Sequence, residues 1–254
     1  MSPIFEVNGL RKNFGGLAVT DNVSVALAPG DRTVLIGPNG AGKTTFVNLV
    51  TGNIKPSAGS VRIAGEDVTA LSAAARVRRG LVRSYQVTRL FQDMTPEEHV
   101  ALAILQREGK TGRVVGNYRA MPAVMEETRE TLDSLGLLPL ANMRVRAIAY
   151  GQQRLIEIAL AMALKPRILL LDEPAAGVPS TETTRIEQAL DRLPSDLAVL
   201  MIEHDMDLVF RFARRVIVLA NGSVIFDGSP RDVTENAEVR QAYLGSYADA
   251  RRPA

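Results

Sequence analysis

The chain has 254 residues, of which 46% are hydrophobic, enough for the core of one α/β domain with an inserted subdomain or of two small domains. The 30 Lys and Arg residues nearly balance 28 Asp and Glu, and a formal charge of +2 is too small for nucleic-acid binding by bulk electrostatics. The absence of cysteine excludes a disulfide scaffold and a cysteine metal site, and two histidines, His99 and His204, argue against a histidine-rich metal site.

The N-terminal segment MSPIFEVNGL lacks a basic stretch followed by a long apolar run, so we expect no signal peptide. No window of the sequence reaches the ~18 uninterrupted apolar residues that mark a membrane-spanning helix. We therefore expect a cytosolic protein that reaches any membrane through a partner.

The N-terminal part of the chain is predicted to be rich in β-strands. Apolar and polar residues alternate over 4–7 and 23–27, as in half-buried strands. The mostly apolar run 33–36 is followed by Gly37 and predicts a fully buried strand. A helix is predicted from Lys43 to about Val50, and 61–63 returns to strand.

From about residue 72 to residue 164 the pattern becomes mostly helical. Thr95 can cap a helix, Pro96 fits the first helical position, and Glu98 can complete a capping box. Further helices are predicted over 122–135 and 152–164.

Strands return after Pro166, with helices between them, over 167–171, 197–202 and 215–219. Such alternation indicates a mostly parallel sheet with helices on both faces. Asn221-Gly222 predicts a hairpin to a last strand at 224–226. We therefore predict one α/β domain over 1–254, with a helical subdomain inserted at 72–164.

A phosphate-binding loop is predicted between the strand at 33–36 and the helix that starts at Lys43. The pattern G-x-x-x-x-G-K-[ST] is matched by Gly37, Pro38, Asn39, Gly40, Ala41, Gly42, Lys43 and Thr44, with Thr45 next. Its glycines let successive N–H groups point at phosphate oxygens, and the helix N-terminus adds positive charge. We expect Lys43 to reach the β- and γ-phosphates and Thr44 to bind Mg²⁺.

Two adjacent carboxylates, Asp172 and Glu173, follow the apolar strand 168–171. Ligands bind at the carboxyl ends of strands in open α/β sheets. We expect Asp172 to hold Mg²⁺ through water and Glu173 to polarise a water that attacks the γ-phosphate.

With these motifs in this order, the sequence resembles the ATP-binding subunits of ABC transporters along nearly its whole length. Gln86 is similar to the glutamine that contacts Mg²⁺ and the attacking water, and His204 to the histidine that contacts the γ-phosphate. Phe14 matches the aromatic residue that stacks on adenine, although a core role fits it equally well. The resemblance places the family signature, which contacts the ATP of a partner subunit, at Ala149, Tyr150, Gly151 and Gln152.

The resemblance implies a P-loop NTPase fold of the ABC type: a mostly parallel core sheet, an N-terminal antiparallel β subdomain and the inserted helical subdomain. It also implies two such domains that close head to tail on ATP and Mg²⁺, with the helical region contacting membrane subunits.

A narrower resemblance is to the branched-chain amino acid uptake branch. It is carried by residues 14–17, 89–91, 150–154, 172–177, 203–206 and 242–245. It implies a bacterial importer with a second ATP-binding subunit, identical or different, two permease subunits and a solute-binding protein. The chain would then lie at the cytoplasmic face of the inner membrane. Importers of urea or short amides share much of this pattern.

Two positions depart from the family pattern. Ala149 replaces the usual signature serine and cannot donate a hydrogen bond to the partner's ATP, so we expect weaker closure on ATP. Pro179 replaces an Asp or Asn, and it either alters communication between the two ATP sites or only stiffens the approach to a helix that Ser180 caps.

Two other functions stay open: an exporter or lipid-transport ATPase, and an ATP-switched module of DNA repair or translation. The second would use a basic patch formed by arginines 76, 78, 79, 83 and 89. Solvated side chains and contacts to membrane subunits are the simpler interpretation of these arginines, and we expect no nucleic-acid partner.

Overall fold

The structure, a computed structural model, describes residues 2–84, 90–110 and 118–242. The chain divides into two compact units, of which unit 1 takes residues 1–81, 167–171 and 195–254, and unit 2 takes 82–166 and 172–194. Within the described ranges, no helix is both long and apolar enough to cross a membrane.

Strands and helices alternate along most of the chain. The strands are β1 (Phe5–Phe14), β2 (Leu17–Leu27), β3 (Arg32–Ile36), β4 (Ala58–Ile63), β5 (Glu66–Asp67), β6 (Leu81–Arg83), β7 (Ile168–Asp172), β8 (Ala198–Ile202), β9 (Arg215–Ala220) and β10 (Ser223–Gly228). The helices are α1 (Lys43–Val50), α2 (Ala73–Val77), α3 (Pro96–Arg107), α4 (Pro122–Ser134), α5 (Tyr150–Ala163), α6 (Ser180–Asp191), α7 (Met206–Phe212) and α8 (Pro230–Glu235).

The strands form two sheets. The first, in the order β2-β1-β4-β5, is antiparallel, and β1 and β2 pair along their length from Phe5–Leu27 to Phe14–Leu17. The second, in the order β10-β9-β3-β8-β7-β6, is mixed: β3 pairs in parallel with β8 and β9, while β10 runs antiparallel to β9. The predicted α/β fold with an antiparallel β subdomain is confirmed.

The core of unit 1 lies around α1 and the buried strands. Phe46, Val47, Leu49 and Val50 of α1 are all fully buried in it. Fully apolar strands such as β8 carry no polar face because the sheet is covered on both sides.

Arg76 is 1% exposed and closes the C-terminal end of α1. Its guanidinium donates to the carbonyl oxygens of Leu49 (2.9 Å) and Val50 (2.7 Å), and to that of Thr69 (2.8 Å). A cation at this end complements the helix dipole and satisfies carbonyls that have no helical partner. Burial lowers the pKa of Arg76 from its ordinary value, because it disfavours the charged form.

The helices of unit 2 are tied together by Arg107 at the end of α3. Its guanidinium donates to both carboxylate oxygens of Glu127 in α4 (2.6 and 2.8 Å) and to the carbonyl oxygen of Ala163 in α5 (2.6 Å). The hydrogen bond from Arg107 holds the pKa of the Glu127 carboxyl below its usual value. The capping box of Thr95 and Glu98 at the start of α3 is present as predicted.

Some predicted boundaries differ from the observed ones. The strands predicted at 4–7 and 23–27 are parts of one long hairpin, β1–β2, because both partners keep pairing as far as the turn at Gly15 and Gly16. The predicted cap by Ser180 is wrong: Pro179 holds the N-cap position and Ser180 is the first helical residue of α6. The short strand β6 lies within the stretch predicted to be mostly helical.

Candidate functional site

The loop between β3 and α1 is packed so closely that only glycine fits at two positions. Gly37 has φ of +157°, and a Cβ there would lie 2.2 Å from the carbonyl oxygen of Leu219. Gly42, the N-cap residue of α1, has φ of +99°, and its Cβ would lie 2.5 Å from the carbonyl oxygen of Val19. Backbone contacts from β2 and β9 therefore hold the loop in its curled conformation.

The polar side chains of this loop lie at its open side. Lys43 donates from Nζ to the carbonyl oxygens of Gly37 (2.6 Å) and Pro38 (3.0 Å), so its ammonium lies over the loop. Thr44 is exposed, as are Asn39 and Gly40. Helix α1 begins without a side-chain cap, which leaves its first N–H groups to a ligand.

The carboxylates of Asp172 and Glu173 stand at the end of β7. Asp172 forms an ion pair with Arg83 at the end of β6, with 2.5 Å between Nη2 and Oδ2, and the two side chains are 12% and 9% exposed. Glu173 is half-buried, and its φ of +48° is unusual for a residue with a side chain. Such backbone strain persists where the surroundings impose it and is frequent at functional sites.

His204 follows β8, and its side chain is 67% exposed. The neighbouring Glu203 is 1% exposed, and its Oε2 accepts hydrogen bonds from the backbone N–H groups of His204 (2.8 Å) and Asp205 (3.2 Å). Asp205 in turn caps α7 by accepting from Asp207 and Leu208. The backbone of His204 is thereby fixed on both sides, a role of Glu203 that the sequence analysis missed.

The signature segment forms the N-terminus of α5. Ala149 holds the N-cap position without a side-chain hydrogen bond, and Ala149 and Tyr150 are exposed. Gly151 is buried, and a Cβ there would lie 2.3 Å from Oε2 of Glu182 in α6. Gln152 is half-buried. The Arg154 guanidinium lies 5.3 Å from the centre of the Tyr150 ring.

Phe14 lies at the end of β1 and is 51% exposed, which rules out the core role that the sequence left open. Lys12 places its Nζ 5.1 Å from the centre of this ring. Gln86 lies outside the described residues, as do Arg89 and the segment 243–245.

The proposed basic patch is not formed by the described arginines. Arg76 is buried against backbone carbonyls, Arg79 pairs with Glu66 at 2.7 Å, and Arg83 pairs with Asp172. Arg89 lies outside the described residues. The simpler interpretation, that these arginines are solvated side chains, is also wrong for Arg76 and Arg83.

The candidate residues divide between the two units. Unit 1 carries Phe14, the loop 37–45 and His204, and unit 2 carries Asp172, Glu173 and the signature at 149–152. Within each unit the side chains lie at the ends of strands or at helix N-termini, where open α/β folds bind ligands.

A sequence profile described as "ABC transporter" matches residues 20–176, more than half of the chain. The chain belongs to this family, and it is an ATP-hydrolysing subunit that powers transport. A second profile, "Branched-chain amino acid ATP-binding cassette transporter", matches residues 223–249.

Named relatives match almost end to end. The high-affinity branched-chain amino acid transport ATP-binding proteins BraF of Pseudomonas aeruginosa and LivG of Escherichia coli K12 are each 39% identical, over 96% of this chain and 98% of theirs. The solved structure of MJ1267, an ATP-binding cassette of an ABC transporter in its ADP conformation, aligns with a TM-score of 0.83 at 28% identity. It covers 96% of this chain and 100% of MJ1267.

Proposed function

We propose that this chain powers a bacterial importer of branched-chain amino acids or of a related small polar solute. The observation that carries this proposal is the 39% identity to BraF and LivG over 96% of the chain. The branched-chain profile at residues 223–249 supports it from a region beyond the family's general match, which ends at residue 176.

In the proposed ATP site, the loop 37–45 cradles the phosphates and Phe14 stacks on adenine. The half-exposed ring of Phe14 has the accessibility that stacking requires. Lys43 would exchange its two loop carbonyls for β- and γ-phosphate oxygens, a gain because the phosphate oxygens carry negative charge and the carbonyl oxygens are neutral. Catalysis of phosphoryl transfer then depends on positioning and electrostatics.

The residues proposed for Mg²⁺ fit that ion by their chemistry. Thr44 is an exposed hydroxyl and Asp172 a carboxylate, both hard oxygen donors, and Gln86 is the third proposed ligand. Among the described residues no group of three or more His, Cys, Asp and Glu side chains could hold a metal. Mg²⁺ needs no such group, because it keeps waters and takes substrate phosphates as ligands. When bound, it neutralises charge on the phosphates.

Glu173 is proposed to polarise the attacking water, and His204 to contact the γ-phosphate. The half-buried position of Glu173 and its strained backbone are typical of a residue held for chemistry. The two N–H hydrogen bonds to Glu203 would keep His204 in a constant position between turnovers.

The signature at 149–152 is proposed to contact the ATP of a second ATP-binding subunit. The uncapped N-terminus of α5 supplies N–H groups for its γ-phosphate, but Ala149 supplies no hydroxyl. We propose two permease subunits and, indirectly, a solute-binding protein as the other partners, and a position at the cytoplasmic face of the inner membrane. The inserted helical subdomain, predicted over 72–164, would contact the permeases.

The test is uptake of radiolabelled leucine by the native bacterium after deletion of this gene. Leucine uptake should fall and return with the wild-type chain but not with Lys43→Ala. Unchanged leucine uptake together with lost urea or amide uptake would contradict the branched-chain assignment and leave the importer assignment standing.

A further inference from the structure

Arg83 and Asp172 form the ion pair at the ends of β6 and β7, strands that are neighbours in the sheet order. Their side chains are 9% and 12% exposed, so water screens the attraction little. Among the described residues, the Asp172 carboxylate makes no other hydrogen bond. Within this described part of the chain, one guanidinium therefore sets the orientation of the carboxylate.

We propose that Arg83 is a positioning residue for the metal-binding carboxylate. Its guanidinium holds Oδ2 of Asp172 and leaves Oδ1 as the oxygen that can accept from a water bound to Mg²⁺. This inference rests on the proposed role of Asp172 in the Mg²⁺ site. Partners that orient metal-binding groups typically change metal affinity or activity by about 10–100-fold when they are removed.

Stability alone is a poor reason for an ion pair at this place. A buried pair gains little net free energy over well-packed apolar side chains, because both charges lose their hydration. The other β6 residues, Leu81 and Val82, are apolar and 2% and 3% exposed, so an apolar residue would suit the strand. What an apolar residue at position 83 would not supply is a fixed orientation of the Asp172 carboxylate.

Arg83 also lies three residues before Gln86, the other residue proposed to contact Mg²⁺ from this part of the chain. The ion pair holds the end of β6 at the carboxylate of Asp172. A cavity of about 200 Å³, lined by Arg83 together with Leu90, Ala103 and Leu160, adjoins the pair.

The experiment compares the affinity of the full chain for a fluorescent ATP analogue with Mg²⁺ and with excess EDTA. The ratio of the two affinities is the Mg²⁺ gain. Arg83→Met should lower the gain about tenfold and change the affinity in EDTA less than about twofold. Arg83→Lys, which keeps the cation, should restore most of the gain. Arg79→Met, which breaks the exposed pair with Glu66, is the matched control and should keep the full gain.

Thermal unfolding without nucleotide checks that each variant folds. Arg83→Leu, which also lacks a donor, is measured in place of Arg83→Met if the latter does not fold. Asp172→Asn tests the metal-binding role of Asp172 separately from the positioning role of Arg83. If Asp172→Asn loses the Mg²⁺ gain while Arg83→Met or Arg83→Leu keeps it, the positioning role is overturned and the proposed metal site stands. If Asp172→Asn keeps the full gain, both are overturned. If Arg83→Met lowers the affinity for the ATP analogue equally with Mg²⁺ and with EDTA, the ion pair has only a structural role and the proposal is overturned.

Discussion

The N-termini of α1 and α5 are both proposed to receive phosphate, yet they are built differently. At α1 the N-cap residue is the buried Gly42, held by backbone atoms of β2. At α5 the N-cap residue is the exposed Ala149, and the neighbouring Gly151 faces a replaceable side chain, Glu182. Contacts with backbone atoms allow only glycine at the N-cap of α1. Contacts with side chains allow other residues at the N-terminus of α5. The departure from the family pattern, Ala149, lies at the N-terminus of α5.

Other helices in the same chain have the side-chain N-cap that α1 and α5 lack. Helices α3 and α7 are capped by Thr95 and Asp205, whose side chains accept from N–H groups of the first turn. Such caps are worth about 1 kcal/mol each. The N–H groups of α1 and α5 that a cap would have satisfied are those that an anion can use.

The largest effect is expected from Glu173→Gln. Loss of a general base should slow ATP hydrolysis by at least about 100-fold, because general-base catalysis contributes about 10²–10⁴. ATP affinity should stay near that of the wild type. Phosphate release and equilibrium ATP binding measure the two quantities, and hydrolysis at the wild-type rate would remove Glu173 from the mechanism. Because the variant should bind ATP and hydrolyse it slowly, ATP binding at both helix N-termini can be measured without hydrolysis.

The comparison of the two sites is tested directly by Gly37→Ala and Gly151→Ala. The first places a Cβ 2.2 Å from a backbone oxygen at a positive φ and should lower the free energy of unfolding by at least about 3 kcal/mol. The second meets the flexible end of Glu182 and should cost about 1 kcal/mol. Urea unfolding of each variant measures the two free energies. Equal losses of unfolding free energy would show that the two sites are equally constrained.

A smaller effect is expected from Ala149→Ser in the Glu173→Gln background. The added hydroxyl can donate to the partner's ATP, and a hydrogen bond to a charged group is worth about 1.5–3 kcal/mol. ATP-driven association of the ATP-binding subunits, followed by light scattering, should therefore tighten by at least about tenfold. Unchanged association would mean that Ala149 does not weaken closure. Without ATP, the serine should also raise stability by up to about 1 kcal/mol as a new N-cap.

The smallest expected effect is a pH dependence from His99. Burial lowers the pKa of this histidine in the folded chain, where Nε2 accepts from the N–H of Phe91 and Nδ1 lies 2.9 Å from the carbonyl oxygen of Thr95. As the pH falls below 6.5, His99 takes up a proton in the unfolded chain before it does so in the folded chain. The free energy of unfolding therefore falls as the pH falls through the folded pKa. His99→Gln should flatten this part of the pH profile of the unfolding midpoint. The same slope in wild type and variant would assign the effect to other groups.

The sequence predicts features that local pattern and motif determine. The α/β fold, the antiparallel subdomain and the family are confirmed, and the capping box of Thr95 and Glu98 is present. The site roles and the bounds of the helical insertion stay predictions. What the sequence did not reveal depends on contacts between distant residues: Arg76 with α1, 26 and 27 residues away, and Arg83 with Asp172, 89 residues away. A buried arginine and an exposed one look alike in a sequence.

Glu203 shows the same limit at short range. Its position beside His204 is plain in the sequence, but its burial at 1% exposure and its two backbone hydrogen bonds follow from the end of β8 lying in the core of unit 1. The only signal in the sequence was a charged residue directly after a fully apolar strand.

The central claim is that this chain supplies half of an ATP site shared with a second subunit of a membrane importer. It is tested most directly by affinity purification of tagged Glu173→Gln chain from native membranes, with and without ATP and Mg²⁺. We predict recovery of a second ATP-binding subunit and two permease subunits, with the ATP-binding partner enriched when ATP is present. Recovery without any membrane subunit, or with nucleic acid instead, would contradict the account.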